Sequence, residues 1–238
     1  MLEGQKCLVI GSGISGIGAV ALLEKYHADV VLYDSSDKLT KEDLEAKLPG
    51  ESKAVCIAGE LPEEVELSIQ ATVLSPGVPT DIPLVNRMRD RGVQILGEIE
   101  LGFLAEQGRV IAITGTNGKT TTTTLTGEIM KAYFGEEKTF VVGNIGNPYT
   151  LEVTKTSKDS VTVGEISSFQ LETIHTFHPV VSAILNITPD HLNRHHTMEA
   201  YVAAKEAVAS QQTKADICVL NYDNDYTRDF AGRCPATP

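Results

Sequence analysis

The stretch RVIAITGTNGKTTTTTLTGEIMKAY, residues 109–133, decides how the chain is read. Its opening, RVIAI, is a short apolar run that ends at a glycine loop, and such a run reads as a buried strand. Its close, residues 120–133, reads as a helix. Between them lies TGTNGKTT, residues 114–121, with the Gly118-Lys119-Thr120 core of a phosphate-binding loop. In such a loop backbone amides cradle the phosphates, the lysine reaches the outer ones, and the Thr hydroxyl can ligate magnesium. The form departs from G-x-x-x-x-G-K-[ST]: Ile113 stands where the first glycine is wanted, and Gly115 is the nearest substitute. Strand, loop and helix still occur in the order the loop requires.

Upstream, the same alternation has already run once. Apolar runs KCLVI (6–10), DVVLY (29–33), AVCIA (54–58) and ATVL (71–74) read as strands, as does 93–96. Helical spacing occupies 15–26, 81–91 and 98–106, and Gln107-Gly108 marks a turn. Short buried strands alternating with helices predict a parallel sheet covered on both faces. GSGISG, residues 11–16, is a full G-x-G-x-x-G between the first strand and its helix, and Asp34 ends the second strand. That context is the fingerprint of a diphosphate-containing ligand, whether NAD, FAD or a nucleotide-sugar, because glycines admit the backbone to the phosphates and the helix N-terminus offers free N–H groups. SPGV, residues 75–78, ends the fourth strand and forms a second wall for the same ligand.

Downstream, strands are expected at 139–142, 160–165, 180–185 and 217–220. The fold class is therefore α/β: an N-terminal Rossmann-like parallel-sheet domain over residues 1–100, then a P-loop-type central ATPase domain over 101–238. The second is expected to be incomplete, with no closing element after the strand at 217–220, since Pro235 and Pro238 cannot continue a helix.

Composition excludes several classes. A net charge of −12 argues against a nucleic-acid binder, which needs a basic face. The four cysteines, Cys7, Cys56, Cys218 and Cys234, have no C-x-x-C or zinc-type spacing and read as reduced thiols. The N-terminus lacks the apolar run of a signal peptide, and no stretch approaches the roughly 20 apolar residues of a membrane span. A cytoplasmic monomer that engages neither nucleic acid nor membrane is expected.

Four further stretches follow TGTNGKTT in order: GNIG (143–146), EISSFQLE (165–172), NITPDHLNR (186–194) and YVAAK (201–205). With them the chain resembles the Mur ligase family over essentially its whole length. The first-domain layout and EISSFQLE are similar to the branch that adds D-glutamate, rather than L-alanine, a diamino acid or D-Ala-D-Ala. The resemblance implies peptidoglycan-precursor chemistry, with ATP and Mg2+. ATP phosphorylates the carboxylate of UDP-N-acetylmuramoyl-L-alanine, and the amine of D-glutamate attacks the acyl phosphate to give an amide, ADP and phosphate.

The same resemblance implies residue roles. Gly115, Thr116, Asn117, Gly118, Lys119, Thr120 and Thr121 would hold the triphosphate. Thr120 and Glu165 would ligate one magnesium ion. His191 would help place a second magnesium and the substrate carboxylate, and Lys205 would carry a carbamate that binds or supports magnesium. Lys119, His191 and Lys205 form the catalytic set. On the first domain, Ile14 and Ser15 would offer amides, Asp34, Ser35 and Ser36 would face the uracil or diphosphate, and Ser75 and Gly77 the diphosphate. Asn144 would reach the muramoyl part. Two positions depart from the family pattern: Asn193 stands where aspartate is frequent, and Ser36 where some relatives carry arginine. His175, His178, His195 and His196 are read as surface or packing residues.

The family's third, C-terminal domain supplies much of the D-glutamate pocket and is expected to be absent from these 238 residues. By themselves they are expected to bind ligands and turn over little. Three rival readings remain: another Mur-type or folate-type amide ligase, a nicotinamide-dependent dehydrogenase built on Gly11–Gly16 and Asp34, and a non-catalytic nucleotide-binding remnant.

Overall fold

A computed structural model of the chain describes residues 2–238. They form two α/β units: one holds the residues up to Ala105 together with Tyr149–Thr154, the other Glu106–Pro148 and Lys155–Pro238.

The first unit has five strands, β1 (Lys6–Ile10), β2 (Asp29–Asp34), β3 (Val55–Ala58), β4 (Ala71–Leu74) and β5 (Gln94–Gly97), all parallel in the order β3-β2-β1-β4-β5. Ile10 stands opposite Tyr33 on one side and Leu74 on the other. Helices α1 (Ile14–Lys25), α2 (Lys41–Glu45), α3 (Glu63–Ser68), α4 (Pro83–Asp90) and α5 (Glu98–Ala105) connect and cover them. Central strands of a covered parallel sheet are apolar on both faces, which is why KCLVI reads as a continuous run. Leu8, Ile10, Val31, Tyr33, Leu74 and Met88 share one buried cluster. Each such side chain contributes roughly 1.5–3 kcal/mol by leaving water. From β1 the chain steps outward through β2 to β3, then crosses back to β4 on the other side of β1. The crevice beyond the carboxyl ends at that point is where open α/β sheets bind ligands.

Three short helices here carry no periodic signal, α3 among them, and the remaining two show how such helices are held. α2 starts at a capping box, in which the Thr40 hydroxyl accepts from the Asp43 amide (3.2 Å) and the Asp43 carboxylate from the Thr40 amide (2.9 Å). Its anchor is Leu44, fully buried. The other is Tyr149–Glu152, α7 in chain order, which packs on α1 and α5. Gly18 and Gly102 permit that approach: a Cβ on Gly18 would lie 2.5 Å from Thr150 Oγ1, and one on Gly102 2.8 Å from the Tyr149 ring. The buried Glu98 carboxylate caps this helix, accepting from the Thr150 amide (2.7 Å) and hydroxyl (2.8 Å). Burial pushes its pKa up against the pull of these donors.

The second unit repeats the plan with β6 (Arg109–Thr114), β7 (Thr139–Gly143), β8 (Val161–Glu165), β9 (Val181–Ile184) and β10 (Ile217–Leu220), parallel in the order β10-β9-β6-β8-β7. α6 (Lys119–Phe134) follows β6, and α8 (Ser168–Leu171), α9 (Leu192–His195), α10 (Met198–Glu206) and α11 (Asp225–Ala231) follow later strands. One sequence expectation is corrected. The strand at 217–220 does have a closing element, because Asn224 caps α11 by accepting from the Thr227 amide (3.3 Å). Thr237 then lies along β10, its carbonyl accepting from the Cys218 amide at 2.9 Å. A seven-residue helix held by its cap and by tertiary contacts leaves little periodic signal. All four cysteines are buried free thiols, and no helix among the described residues is long and apolar enough to cross a membrane.

Candidate functional site

In the first unit the glycine turn lies at the carboxyl end of β1. Gly11 has φ +100°, and a Cβ there would meet Ser75 Oγ at 2.9 Å. Gly16 is tighter still, because a Cβ would lie 1.9 Å from the Gly11 carbonyl oxygen. Gly13 differs: its φ is −75° and nothing lies within 4 Å of a Cβ built on it. Its lack of a side chain serves no packing need and keeps the N-terminus of α1 open, where the first N–H groups have no intrahelical partner. Ile14, 65% exposed, and Ser15 begin that helix.

Asp34, at the end of β2, faces the turn. One carboxylate oxygen accepts from the Ser12 amide (3.0 Å) and hydroxyl (2.7 Å), the other from the Ser36 amide (3.1 Å). Burial alone would raise the Asp34 pKa, but these donors and the nearby Lys47 bring it below the usual carboxylate value. Asp34 thus shapes the loop as well as bordering the ligand space. The Ser75 hydroxyl donates to the Gly11 carbonyl (3.1 Å) and fastens the two walls together. Ser35 and Gly77 lie in the loops after β2 and β4, with open space around Gly77. The sequence reading missed Ser12 and Lys47, whose Nζ donates to Ser12 Oγ at 2.9 Å.

In the second unit the phosphate loop joins the central strand β6 to α6. Gly115 (φ +151°) and Gly118 (φ +82°) take conformations that L side chains rarely adopt. The loop is braced from the segment after β9. The Asn186 side chain accepts from the Asn117 amide (2.8 Å) and donates to the Asn117 carbonyl (2.9 Å), while its own carbonyl accepts from the Thr116 amide (2.9 Å). The Thr116 hydroxyl donates to the Thr188 carbonyl (3.2 Å) and lies 3.1 Å from the Tyr201 hydroxyl. Thr116 therefore supports the loop from behind, and Asn186, Thr188 and Tyr201 join the site as braces. Lys119 Nζ donates to the Gly115 and Thr116 carbonyls, both at 3.0 Å. Thr120 and Thr121 lie exposed in the first turn of α6.

Glu165 ends β8, where Ile113 of β6 is its register partner. The Asn144 side chain donates to Glu165 Oε1 at 2.8 Å, and the Asn144 amide to the Glu165 carbonyl at 2.8 Å. Oε2 is buried with no hydrogen-bond partner, as is the Thr114 hydroxyl at the end of β6. An ionised oxygen left so is costly unless a cation meets it.

Lys205, 1% exposed, donates to the Gly115 carbonyl at 2.7 Å and lies over the Tyr201 ring, 4.7 Å from its centroid. Burial, reinforced by Lys119 and opposed by Asp190, brings its pKa down to about 7. His191 adopts a left-handed backbone (φ +51°) at the start of α9, and its ring centroid lies 5.0 Å from that of Phe169 in α8. Arg194 covers the same phenyl ring at 4.1 Å and pairs with Glu172 (2.9 Å). EISSFQLE thus supplies Glu165 for the site and Phe169 as a support for His191. His195 is a packing residue, buried with its Nε2 2.9 Å from the Ser168 hydroxyl.

The donor set fits magnesium in character. No group of three His, Cys, Asp or Glu side chains that could hold a metal occurs among the described residues. Mg2+ beside a nucleotide uses one or two protein oxygens, completed by phosphate and water. Glu165 Oε2 and the Thr120 hydroxyl are oxygens of that kind.

A family model described as the Mur ligase middle domain matches residues 113–237, and one described as the Mur ligase MurD-like N-terminal domain matches residues 5–97. The chain belongs to the Mur ligase family. It is 58% identical over 99% of its length to a UDP-N-acetylmuramoylalanine–D-glutamate ligase of Lachnospira eligens, and covers 52% of that protein. It is 45% identical, again over 99% of its length and 52% of the relative, to the ligase of the same name from Clostridioides difficile. The chain thus spans about half the length of the curated relatives it matches. Among solved structures, UDP-N-acetylmuramate:L-alanyl-gamma-D-glutamyl-meso-diaminopimelate ligase from Neisseria meningitides shares the fold, with a TM-score of 0.59 at 14% identity over 98% of this chain and 76% of that one. A murein peptide ligase from Psychrobacter arcticus does so with a TM-score of 0.56 at 14% identity, over 97% and 52%. In this Mur ligase chain the two glycine loops described above fall within the stretches matched, residues 5–97 and 113–237.

Proposed function

We propose that the protein bearing these residues adds D-glutamate to UDP-N-acetylmuramoyl-L-alanine in an ATP-dependent reaction. The phosphoryl group passes from ATP to the substrate carboxylate. The amine of D-glutamate attacks that carbon, phosphate leaves with the bonding pair, and the amine proton is released. A carboxylate is a poor electrophile, and phosphorylation converts its oxygen into a leaving group. Residues 1–100 are assigned the UDP-substrate and residues 101–238 ATP.

Gly115, Asn117, Gly118 and Lys119 offer the amides and ammonium for the triphosphate, with Thr116 bracing them and Thr120 and Thr121 at the mouth of α6. Thr120 and Glu165 would hold Mg2+, which when bound offsets the repulsion between two anions that must meet. His191, held by Phe169, is assigned to the substrate carboxylate and a second ion. The lowered Lys205 pKa makes its amine a competent nucleophile toward carbon dioxide: the ammonium first gives up a proton, the neutral amine forms the N–C bond, a second proton leaves the nitrogen, and a cation has become an anion beside the metal site. On the first unit Ile14 and Ser15 give amides to the diphosphate, with Asp34, Ser35, Ser36, Ser75 and Gly77 around it. Asn144 is assigned to the muramoyl group and to holding Glu165.

The observation that carries this reading is the buried, unpartnered Glu165 Oε2 in register beside the strand that bears the phosphate loop. A dehydrogenase reading does not use it. The test is calorimetric titration with ATP, with and without Mg2+, of the chain and its Glu165→Gln variant. Mg2+ is expected to strengthen ATP binding in the former far more than in the latter. Equal dependence on Mg2+ in both would sink the assignment.

A further inference from the structure

Lys47 lies outside every motif of the sequence, yet the fold delivers it to the glycine turn. Its amide bonds to the Leu44 carbonyl (3.1 Å), one turn beyond the buried anchor of α2. Its Nζ reaches Ser12 Oγ at 2.9 Å and the Ser12 carbonyl at 3.3 Å, across 35 residues of sequence. Ser12 Oγ in turn donates to Asp34 at 2.7 Å. A chain of contacts thus runs Lys47–Ser12–Asp34, and its middle member, Ser12, directly precedes the open Gly13 and the free amides of α1.

The charge at this place matters. A nucleotide-sugar diphosphate carries two negative charges, and a helix N-terminus supplies only about half a positive charge. Ser36 supplies none. Nor do the turn residues 11–16 or the wall 75–78 contain a cationic side chain. Lys41, on the same short helix, pairs instead with Glu45 at 3.4 Å.

We propose that Lys47 is the cation that recognises the diphosphate of the UDP-substrate. This rests on assigning the glycine turn to that substrate. Lys47 exchanges its contact with the Ser12 carbonyl for a phosphate oxygen, while Ser12 and Asp34 keep the turn in shape.

The test is to titrate the chain and its Lys47→Met and Lys47→Arg variants with UDP and with uridine, at two salt concentrations, and to record each melting temperature. Lys47→Met is expected to weaken UDP binding about tenfold at low salt, as loss of one charge-assisted contact predicts, and to flatten the salt dependence. Uridine binding and melting temperature are expected to hold, and Lys47→Arg to recover most of the affinity. If the unsubstituted chain binds UDP and Lys47→Met binds it equally well, the proposal is overturned. If UDP and uridine weaken together and the melting temperature falls, Lys47 is only a brace and the proposal is again overturned. Failure of the unsubstituted chain to bind UDP removes the nucleotide-sugar reading itself, and the role of Lys47 with it.

Discussion

The Asn144 amide group and the Glu165 carboxylate meet at 2.8 Å, and the backbones of the same two residues are joined by a second bond of 2.8 Å. This double tie fixes which carboxylate oxygen is occupied. It leaves Oε2 as the buried oxygen without a hydrogen-bond partner. Gly143 makes the approach possible, because a Cβ there would lie 2.3 Å from the Glu165 carbonyl oxygen.

Asn144→Ala should therefore loosen the carboxylate without removing it. Partners of metal ligands typically cost about tenfold or more in metal affinity when lost. Titrating Mg2+ into the ATP-saturated chain is expected to show a drop of that order. An unchanged Mg2+ affinity would mean that Asn144 does not orient Glu165.

The glycines of the first turn should separate fold from ligand. Gly16→Ala places a methyl 1.9 Å from the Gly11 carbonyl oxygen, and a backbone clash of that kind costs about 1–3 kcal/mol or more. Gly13→Ala meets nothing within 4 Å. Chemical denaturation is expected to show marked destabilisation for the first and near-native stability for the second. UDP affinity should nevertheless fall in Gly13→Ala, because the methyl occupies the ligand's approach. Undiminished UDP binding by Gly13→Ala would place the diphosphate elsewhere.

Asn186→Ala removes both side-chain bonds to the Asn117 backbone. Two such bonds contribute roughly 1–3 kcal/mol together, and what they stabilise is the loop conformation. ATP affinity is expected to fall about tenfold while UDP affinity stays unchanged, both read by calorimetry. Equal loss of both ligands would point to general unfolding instead.

Lys205 should leave a signature in stability against pH. Its pKa is about 7 in the folded chain against 10.5 for a free lysine. Below pH 7 both states carry the proton, and the folded state bears the cost of the buried charge. Between those two values the unfolded chain binds a proton that the folded chain does not, so stability rises with pH. Denaturation midpoints in carbon dioxide-free buffer are expected to show this rise between about pH 7 and 10, and Lys205→Met to lack it. Parallel curves for the two proteins would show that Lys205 is not held in a neutralising environment.

Legibility in the sequence followed the range of the interaction. KCLVI and RVIAI read as strands because burial on both faces demands unbroken apolar runs, and Gly118-Lys119-Thr120 read as a phosphate loop because its shape depends on consecutive residues. α2, α3, α7, α8, α9 and α11 were not legible, since short helices persist through caps and packing rather than periodicity. Asp34 was visible as a strand-end carboxylate, but its engagement with Ser12 was not.

By itself the sequence determined two glycine-bearing strand-to-helix turns, the parallel α/β plan around them and the strand-loop-helix order of residues 109–133 with Lys119 at the loop's end, because sterics and backbone conformation act over a few neighbouring residues. Tertiary structure alone decided that Lys47 reaches Ser12 across 35 residues, that Asn186 grips Asn117 across 69, and that Glu98 caps the helix at Thr150 across 52. Those side chains are ordinary polar residues on their own segments. Only the order in which the strands pack sets them within hydrogen-bonding distance, and for Glu98 and Thr150, which are buried, each polar group needs that partner.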